Sequence, residues 1–249
     1  MIKVTGDIHG EANQVKRASP NNSSDDIVII AGDFGVIWDK SKATDYWLKW
    51  LGNRNHITAF VDGNHENFDL LYQYPLEMWN GGKIHRINQR VIHLMRGQIY
   101  NLNGLMVFTF GGASSHDIAD GILSPDNPNF KALKRKYNKH GYSYRIEHQS
   151  WWKEELPTIA EIQEARHNLE QVNWKVDYII THCAPLTLQE RILGGHGALL
   201  GFHPDILNEF LDEIYAKTNF KHWYCGHYHV DRKITENFSV LYESVEQVL

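Results

Sequence analysis

The sequence predicts an α/β protein built on a parallel sheet, with a second sheet that begins in the middle of the chain. Three apolar runs in the first third, residues 2–5, 27–31 and 57–61, are separated by segments with helical patterns. Strands that alternate with helices form parallel sheets with right-handed crossovers. After residue 90 the apolar runs are divided by short glycine turns, which indicates antiparallel pairing.

Each connecting segment in the first third carries a helical signal. Residues 11–18 form a short polar helix candidate that Pro20 would stop. Between the second and third strands, apolar side chains recur at the spacing of one helix face: Tyr46, Trp47, Trp50 and Leu51. Residues 66–74 form another helix candidate, which Pro75 closes. The chain therefore begins with a βαβα pattern.

The middle of the chain changes character. Residues 91–95, 98–102 and 105–110 predict an antiparallel meander, and Asn103-Gly104 is a strong hairpin signal. The polar stretch 113–150 predicts a long loop, which is either a cap over the active site or a partly mobile insertion. A helix over 159–169, a strand at 176–180, a helix over 204–216 and strands at 223–225, 230–234 and 238–243 follow. We find no repeat or linker and expect a single domain over residues 1–249.

The composition excludes several classes of protein. The chain is 42% hydrophobic and 22% charged, and no run approaches the roughly 18 apolar residues of a membrane helix. The first strand leaves no room for a signal peptide, so we expect a cytoplasmic protein. The net charge of -5 argues against general nucleic-acid binding, which needs a basic face. It allows a phosphorylated small molecule or nucleotide, because bound cations would supply local positive charge.

The two cysteines, Cys183 and Cys225, favour a reducing compartment over a disulfide framework. Both lie beside loops that contain histidine, so a zinc–thiolate site is one interpretation. Burial of two small side chains at strand ends is the simpler one.

Five apolar runs end in a loop that places histidine, aspartate or asparagine beside glycine. These loops are residues 6–10, 32–35, 62–66, 181–185 and 226–229. Ligands of open α/β sheets gather at the carboxyl ends of strands. Two divalent cations can activate water and hold both ends of a displacement at phosphorus. The pattern therefore predicts a two-metal hydrolytic centre.

The residue types in these loops suit such a centre. Asp7 and His9 lie at i and i+2 of an extended segment and can face the same ion. Asp33 is the natural bridge between two ions, because its carboxylate has two oxygens to share. Asn64 offers an amide oxygen without adding charge. Three histidines would complete the coordination: His182, His227 and His229.

These motifs resemble the calcineurin-like metallophosphoesterases in identity, order and spacing. They are Asp7-x-His9, Gly32-Asp33, Gly63-Asn64-His65-Glu66, His182 and Gly226-His227-x-His229. The resemblance spans residues 6–229 and implies a four-layer α/β/β/α sandwich of two mixed β-sheets. It also implies two divalent metal ions, with manganese favoured and iron or zinc as alternatives. The implied reaction is hydrolysis of a phosphoester by a metal-bridged hydroxide.

The resemblance also implies a role for each motif residue. The first metal would be held by Asp7, His9 and His229. The second would be held by Asn64, His182 and His227. Asp33 would bridge the two ions. His65 would be a catalytic histidine that binds no metal, contacts the phosphate and protonates the leaving oxygen.

The resemblance leaves the substrate open. In the protein-phosphatase branch an Asp-Arg pair follows the second motif, where this chain has Val36 and Ile37. Asp39 or an arginine from elsewhere would have to replace that pair. The first motif and Glu66 nevertheless resemble that branch and the bacterial dinucleoside-polyphosphate hydrolases. We favour a phosphodiester or nucleotide substrate. The alternatives are a phosphoprotein phosphatase of the serine/threonine type and a metal-binding scaffold with little turnover.

Outside the motifs, two histidines are candidate substrate contacts. His116 follows the end of the predicted meander, and His196 lies in the glycine-rich loop 194–197. The alternative for His116 is a hydrogen-bonded loop pair with Asp117. The alternative for His196 is a flexible glycine loop with no chemical role. A run of basic residues is usually a solvated face, with steering of a polyanion as the alternative. It contains Lys131, Lys134, Arg135, Lys136 and Lys139.

Overall fold

The computed structural model describes residues 1–19, 23–24, 26–195, 201 and 203–248. Its larger sheet contains β1 (Ile2–Thr5), β2 (Ile27–Ile30), β3 (Ile57–Phe60), β4 (Leu76–Trp79), β5 (Gly82–Arg86), β6 (Val91–Leu94) and β15 (Val245–Val248). The strand order is β15-β1-β2-β3-β6-β5-β4. The four central strands, β1, β2, β3 and β6, are parallel, and antiparallel strands flank them on both sides.

A second sheet of six strands lies against the first. It contains β7 (Gln98–Leu102), β8 (Leu105–Phe110), β11 (Tyr178–Thr181), β12 (His222–Cys225), β13 (Arg232–Thr235) and β14 (Phe238–Val240). The strand order is β13-β14-β12-β11-β8-β7. The four adjacent strands β14, β12, β11 and β8 are parallel. Two further short strands, β9 (Ile122–Leu123) and β10 (Arg145–Ile146), pair with each other.

Seven helices occur in the described part of the chain. They are α1 (Ala12–Ala18), α2 (Lys42–Gly52), α3 (Phe68–Leu71), α4 (Phe130–His140), α5 (Ile159–Gln171), α6 (Leu186–Leu193) and α7 (Ile206–Lys217). The start of α5 shows why the sequence folds as it does, because Thr158 and Glu161 form a reciprocal capping box there. None of the described helices is long and apolar enough to cross a lipid bilayer.

Three apolar clusters show that the fold has four layers. Ile29 and Ile180 belong to a cluster between the two sheets. The next side chain along β2, Ile30, joins α1–α3 on the outer face of the first sheet. Ile179 of β11 joins α5–α7 on the outer face of the second sheet. Central strands are therefore buried on both faces, which explains their continuous apolar runs. The predicted sandwich of two mixed sheets is confirmed.

The predicted meander is wrong in its first strand. β6 pairs in parallel with β3 and belongs to the first sheet, whereas β7 and β8 form the expected hairpin in the second sheet. Gly97, with φ of 73°, lies at the turn where the chain passes from one sheet to the other. The edge hairpin β4–β5 and the short helix α6 were not predicted at all.

Other predicted segments also differ from the structure. The helix expected over 66–74 is reduced to the single turn of α3, because Asn67 caps it and the chain leaves the helix at Tyr72. The polar stretch 113–150 is not a long loop, since it contains α4, β9 and β10. Its basic run lies on α4.

A buried ion pair supports the loop that follows β3. Arg96 donates from Nε to Asp62 Oδ2 at 2.9 Å, and His93 Nε2 lies 3.1 Å from Asp62 Oδ1. Burial raises the pKa of Asp62, but the Arg96 guanidinium and the His93 imidazole together outweigh this effect and hold the pKa well below its usual range. Arg96 also donates to the carbonyl oxygen of Glu154. This network joins the end of β3 to the segment before α5.

Replacing Arg96 with glutamine should destabilise the protein by about 3–5 kcal/mol, because it leaves the Asp62 carboxylate buried without its cation. Urea unfolding followed by tryptophan fluorescence measures this loss. Arg86→Gln is the control, since the Arg86–Glu77 pair is partly exposed and should contribute less than about 1 kcal/mol. Equal losses for the two variants would contradict the supporting role of Arg96.

Candidate metal centre

The five predicted loops meet at one place in the structure. Three of them follow β1, β2 and β3 of the first sheet, and two follow β11 and β12 of the second sheet. The loops bring together most of the residues predicted as ligands, and five of these are buried. They are Asp7, Asp33, Asn64, His182 and His227. His9 and His229 lie closer to solvent.

Three sets of side chains in the described part of the chain have ligand atoms that converge to within 4.8 Å of one another. The sets are Asp7/His9/His229, Asp7/Asp33/His182 and His9/Asp33/His65. Asp7, His9 and Asp33 each occur in two sets. The three sets therefore form one continuous cluster rather than separate sites.

The carboxylate of Asp33 faces two sides of this cluster. Its Oδ2 lies 3.7 Å from His9 Nδ1, and its Oδ1 lies 3.3 Å from His182 Nε2. Oδ1 also accepts a hydrogen bond of 2.7 Å from the backbone N–H of His65. One carboxylate is thus shared between two groups of imidazole nitrogens, which is what a bridging ligand requires.

On one side of Asp33, two imidazoles point at each other. His9 Nε2 lies 3.0 Å from His229 Nε2, and His229 Nε2 lies 3.2 Å from Asp7 Oδ2. Only one of two facing neutral imidazole nitrogens can carry a proton, so at least one lone pair is directed into the cluster. Two imidazoles and a carboxylate in this arrangement fit a divalent cation.

On the other side, the tautomer of His182 is fixed by the backbone. Its Nδ1 lies 2.8 Å from the carbonyl oxygen of Ala31, which can only accept, so Nδ1 carries the proton. Nε2 is left as the coordinating nitrogen in the neutral ring, and it lies 3.3 Å from Asn64 Oδ1. A hydrogen bond to the second nitrogen commonly orients metal-binding histidines.

His227 is placed differently from the other predicted ligands. Its backbone N–H donates to both carboxylate oxygens of Asp7, at 3.0 and 3.1 Å. Its ring lies against that of His182, with centroids 4.9 Å apart. None of the three converging sets of described residues includes its imidazole.

Positive charge balances the buried carboxylates of the cluster. Burial raises the pKa of Asp33, but the neighbouring His182, with His65 and His9, outweighs this effect and lowers the pKa below its usual range. Burial lowers the pKa of His182, yet Asp33 and Asp7 together raise it to about 10. The two buried carboxylates, Asp7 and Asp33, thus favour the protonated form of His182, whose Nε2 faces Asp33. A divalent ion would supply the same positive charge.

The backbone of the cluster is strained. His9, Asp33, His227 and His229 have left-handed φ values of 47°, 45°, 71° and 49°. Residues other than glycine adopt this region at a cost of about 1–2 kcal/mol each. Gly32 avoids a steric conflict, because a Cβ there would lie 2.0 Å from His182 Nδ1. The backbone is therefore shaped to bring the ligands together.

Glu66 holds the second loop in position. Its carboxylate accepts hydrogen bonds from the backbone N–H groups of Phe34 and Gly35, at 2.7 and 3.2 Å. Glu66 is buried, and burial raises the pKa of its carboxyl group well above the usual range. The residue links the third motif to the second and shows no contact that would make it a ligand.

Sequence reasoning did not identify Arg145. It lies on β10, within the stretch 113–150, and its Nη2 lies 3.3 Å from His65 Nε2. Asp117 accepts two hydrogen bonds from the guanidinium, at 2.7 and 2.9 Å, and the carbonyl oxygen of Ser150 accepts a third, at 2.9 Å. No local pattern marks Arg145, because its partner His65 is 80 residues away in the chain.

Two replacements for the Asp-Arg pair of the protein phosphatases were expected from the sequence, Asp39 and an arginine from elsewhere. Val36 and Ile37 belong to the apolar cluster under α1–α3, and neither carries a charge that could bind a phosphate. Asp39 accepts hydrogen bonds from Ser41 and Thr44 at the start of α2. Of the two replacements considered from the sequence, the arginine is the one that contacts His65.

The remaining candidates are placed less centrally. The His116 ring lies 6.0 Å from the ring of His227, at the edge of the cluster. His196 lies outside the described residues. Cys183 and Cys225 are buried, and burial raises the pKa of the Cys183 thiol to about 11. Neither cysteine belongs to a converging ligand set of the described residues, so the zinc–thiolate interpretation has no support.

A cleft of about 410 Å³ opens beside the cluster. Its lining includes His9, His65, Trp38, Asp39 and Trp47.

A comparison with curated proteins finds no match. The family model described as calcineurin-like phosphoesterase matches residues 1–231. This range includes all five loops of the cluster and nearly the whole chain. The fold, the converging aspartates and histidines and the family match all agree, and the chain belongs to the calcineurin-like phosphoesterase family.

Proposed function

We propose that the protein is a dinuclear, metal-dependent phosphoesterase that hydrolyses a phosphodiester or a nucleotide. The observation that carries this proposal is the carboxylate of Asp33, whose two oxygens face His9 on one side and His182 on the other. A single metal site needs no such sharing. Two divalent ions, when bound, supply Lewis acidity and an activated water for attack at phosphorus.

The ligands follow from the two sides of Asp33. One ion would be held by Asp7, His9 and His229, and the other by Asn64, His182 and His227, with Asp33 common to both. Oxygen and imidazole ligands together suit manganese, iron and zinc, and we favour manganese.

The remaining residues would act on the substrate. Arg145 would bind the phosphate, because its guanidinium reaches the edge of the cluster and is already oriented by Asp117. His65 Nε2 accepts a hydrogen bond from Arg145 in this structure. A phosphate oxygen that takes over this guanidinium would free Nε2 to hold a proton for the leaving oxygen.

The burial of Val36 and Ile37 favours a diester or nucleotide over a phosphoprotein, because the chain lacks the charged pair of the protein phosphatases at these positions. The cleft beside His9 and His65 would receive the second ester group. We also propose that the stretch 113–150 acts as a cap that delivers Arg145. The two unpaired, buried cysteines support our expectation of a cytoplasmic location.

The test is hydrolysis of bis-p-nitrophenyl phosphate and of p-nitrophenyl phosphate, with manganese and with a chelator. Metal content is measured on the same samples. Diester turnover that the chelator abolishes would support the proposal. Turnover of the monoester alone would favour a phosphatase. No turnover of either ester with two metals bound would favour a scaffold.

His65→Ala should lower diester turnover by at least about 100-fold, because a general acid contributes 10²–10⁴-fold. Metal content should stay at the parental level. His148→Ala is the control, since His148 is an exposed residue of the same stretch as Arg145 and pairs with Asp69. Loss of metal from the His65 variant would make His65 a ligand, as its grouping with His9 and Asp33 allows. Parental turnover would exclude both roles.

A further inference from the structure

A run of positive charge precedes Arg145, the residue that contacts His65. Residues 127–146 contain six lysines and arginines and no acidic residue, although the net charge of the chain is -5. Five of the six lie on α4, and the sixth is Arg145. The acidic net charge of the whole chain therefore conceals a local cationic surface.

The basic side chains of α4 are free to bind an external anion. No residue of this helix is buried. None of its lysines or its arginine forms an ion pair with the part of the chain that the structure describes. Lys131, Arg135 and Lys139 are four residues apart and form one stripe, with a rise of about 6 Å from each to the next. Such a row suits a regular chain of negative charges.

Aromatic rings accompany these cations where α4 ends. The rings of Tyr142 and Tyr144 each lie 5.1 Å from the ring of Tyr137. His140 stacks on Tyr142 with centroids 5.4 Å apart, and Tyr142 is 39% exposed. Tyr144 directly precedes Arg145 and donates to Asn138 of α4. The aromatic group therefore connects the basic helix to the residue that touches His65.

We propose that α4 and the tyrosines at its C-terminal end bind single-stranded nucleic acid and direct its backbone past Arg145 to the metal centre. The hydrolysis of that strand rests on the proposed function, whereas the binding does not. Phosphates would pair with the basic stripe, and unpaired bases would stack on the exposed rings. A duplex keeps its bases stacked internally and gains little from these rings.

A membrane surface fits these residues less well. Helices that lie on membranes combine a cationic face with a large apolar face. In α4 the only aliphatic side chain larger than alanine is Leu133, and the only phenylalanine is Phe130, whose ring Lys134 covers at 5.9 Å. The helix carries charge and lies near aromatic rings, but it has no apolar face that could insert into a membrane. The observations therefore favour nucleic acid over an anionic membrane.

The test compares two triple variants that each remove three positive charges. The first is Lys131→Gln/Arg135→Gln/Lys139→Gln on α4. The matched control is Lys175→Gln/Lys217→Gln/Lys221→Gln, which lies near the amino ends of β11 and β12, opposite the metal centre. Binding of a fluorescein-labelled oligothymidylate is followed by fluorescence anisotropy. The metal-loaded protein carries His65→Ala, so that the probe is cut slowly.

The α4 variant should bind the probe at least about tenfold more weakly at low salt. The slope of log K against log salt should fall by about 2, since each contact with a single strand contributes about 0.7. The control should bind like its parent. In the wild-type background, turnover of bis-p-nitrophenyl phosphate should be equal for the parent and both variants, because this small ester does not reach α4.

Equal binding by the α4 variant and its parent would overturn the proposal. Equal weakening by both triple variants would also overturn it, because the effect would then be general electrostatics. Binding of phosphatidylserine vesicles that depends on α4, without binding of the probe, would replace nucleic acid with a membrane. If the parent fails to cleave the small diester, the proposed function fails, and anisotropy still decides whether α4 binds single strands.

Discussion

Replacing Asp33 with asparagine should lower phosphoesterase turnover by about three orders of magnitude. The amide keeps one oxygen to accept the N–H of His65 but loses the negative charge that both ligand groups share. Metal catalysis stabilises the developing charge at phosphorus by several kcal/mol, and each 1.36 kcal/mol corresponds to tenfold in rate. Manganese-dependent turnover of bis-p-nitrophenyl phosphate and the metal content of the purified variant measure the two effects.

Asp177→Asn is the matched control for this substitution. Asp177 directly precedes β11, at the opposite end of that strand from His182, and accepts a hydrogen bond of 2.8 Å from Met106. Asparagine can still accept this bond, so turnover and metal content should remain those of the parent. Two bound metals and parental turnover in the Asp33 variant would contradict a bridging role for Asp33.

Replacing Gly63 with alanine should lower turnover by at least about 100-fold in a protein that still folds. A Cβ at this position would lie 2.1 Å from Asp33 Oδ1 and 2.8 Å from His182 Cδ2, so both side chains must move. A misplacement of about 1 Å in a catalytic group can cost 100-fold in rate. Overpacking of this kind also costs about 1–3 kcal/mol of stability. Circular dichroism, metal content and diester turnover separate these effects.

Gly104→Ala is the control for Gly63. A Cβ at Gly104 would have no atom within 4 Å, but its φ of 86° makes alanine unfavourable there by about 1–2 kcal/mol. This variant should therefore lose stability without losing metal or turnover. If Gly63→Ala behaved in the same way, the loop after β3 would not shape the metal centre.

The central strands and the cluster could be predicted because their signals are local. Burial on both faces makes the run that ends in Ile30 continuously apolar, and Gly32 and Asp33 follow it directly. Side chains approach the backbone so closely at positions such as Gly32 that only glycine fits, and glycine can be recognised in the sequence. Once each loop was placed at a strand end, the geometry of a parallel sheet brought the loops together.

The edge of the first sheet could not be predicted in the same way. Leu76 and Met78 of β4 are exposed, so their alternation with polar residues carries no information about a core. The division of β6 from β7 was missed because Arg96-Gly97 has the local sequence of a hairpin turn. β6 pairs in parallel with β3, which is distant in the sequence, so the local sequence of the turn does not reveal this pairing.

Arg145 shows a third limit. Its role depends on Asp117, Ser150 and His65, and the last of these is 80 residues away. The sequence showed only that a replacement for the missing charged pair was needed. Tertiary structure brings Arg145 into contact with His65.

The four left-handed residues of the metal centre set stability and activity against each other. A substitution at His9, Asp33, His227 or His229 that lets the backbone relax would recover about 1–2 kcal/mol of folding free energy at that position. It would also remove a residue that we propose as a metal ligand. Directed evolution for heat resistance alone should therefore accumulate changes at these four positions, and the resulting proteins would be more stable but inactive. A screen that supplies the metal ion and selects for turnover would retain these four residues.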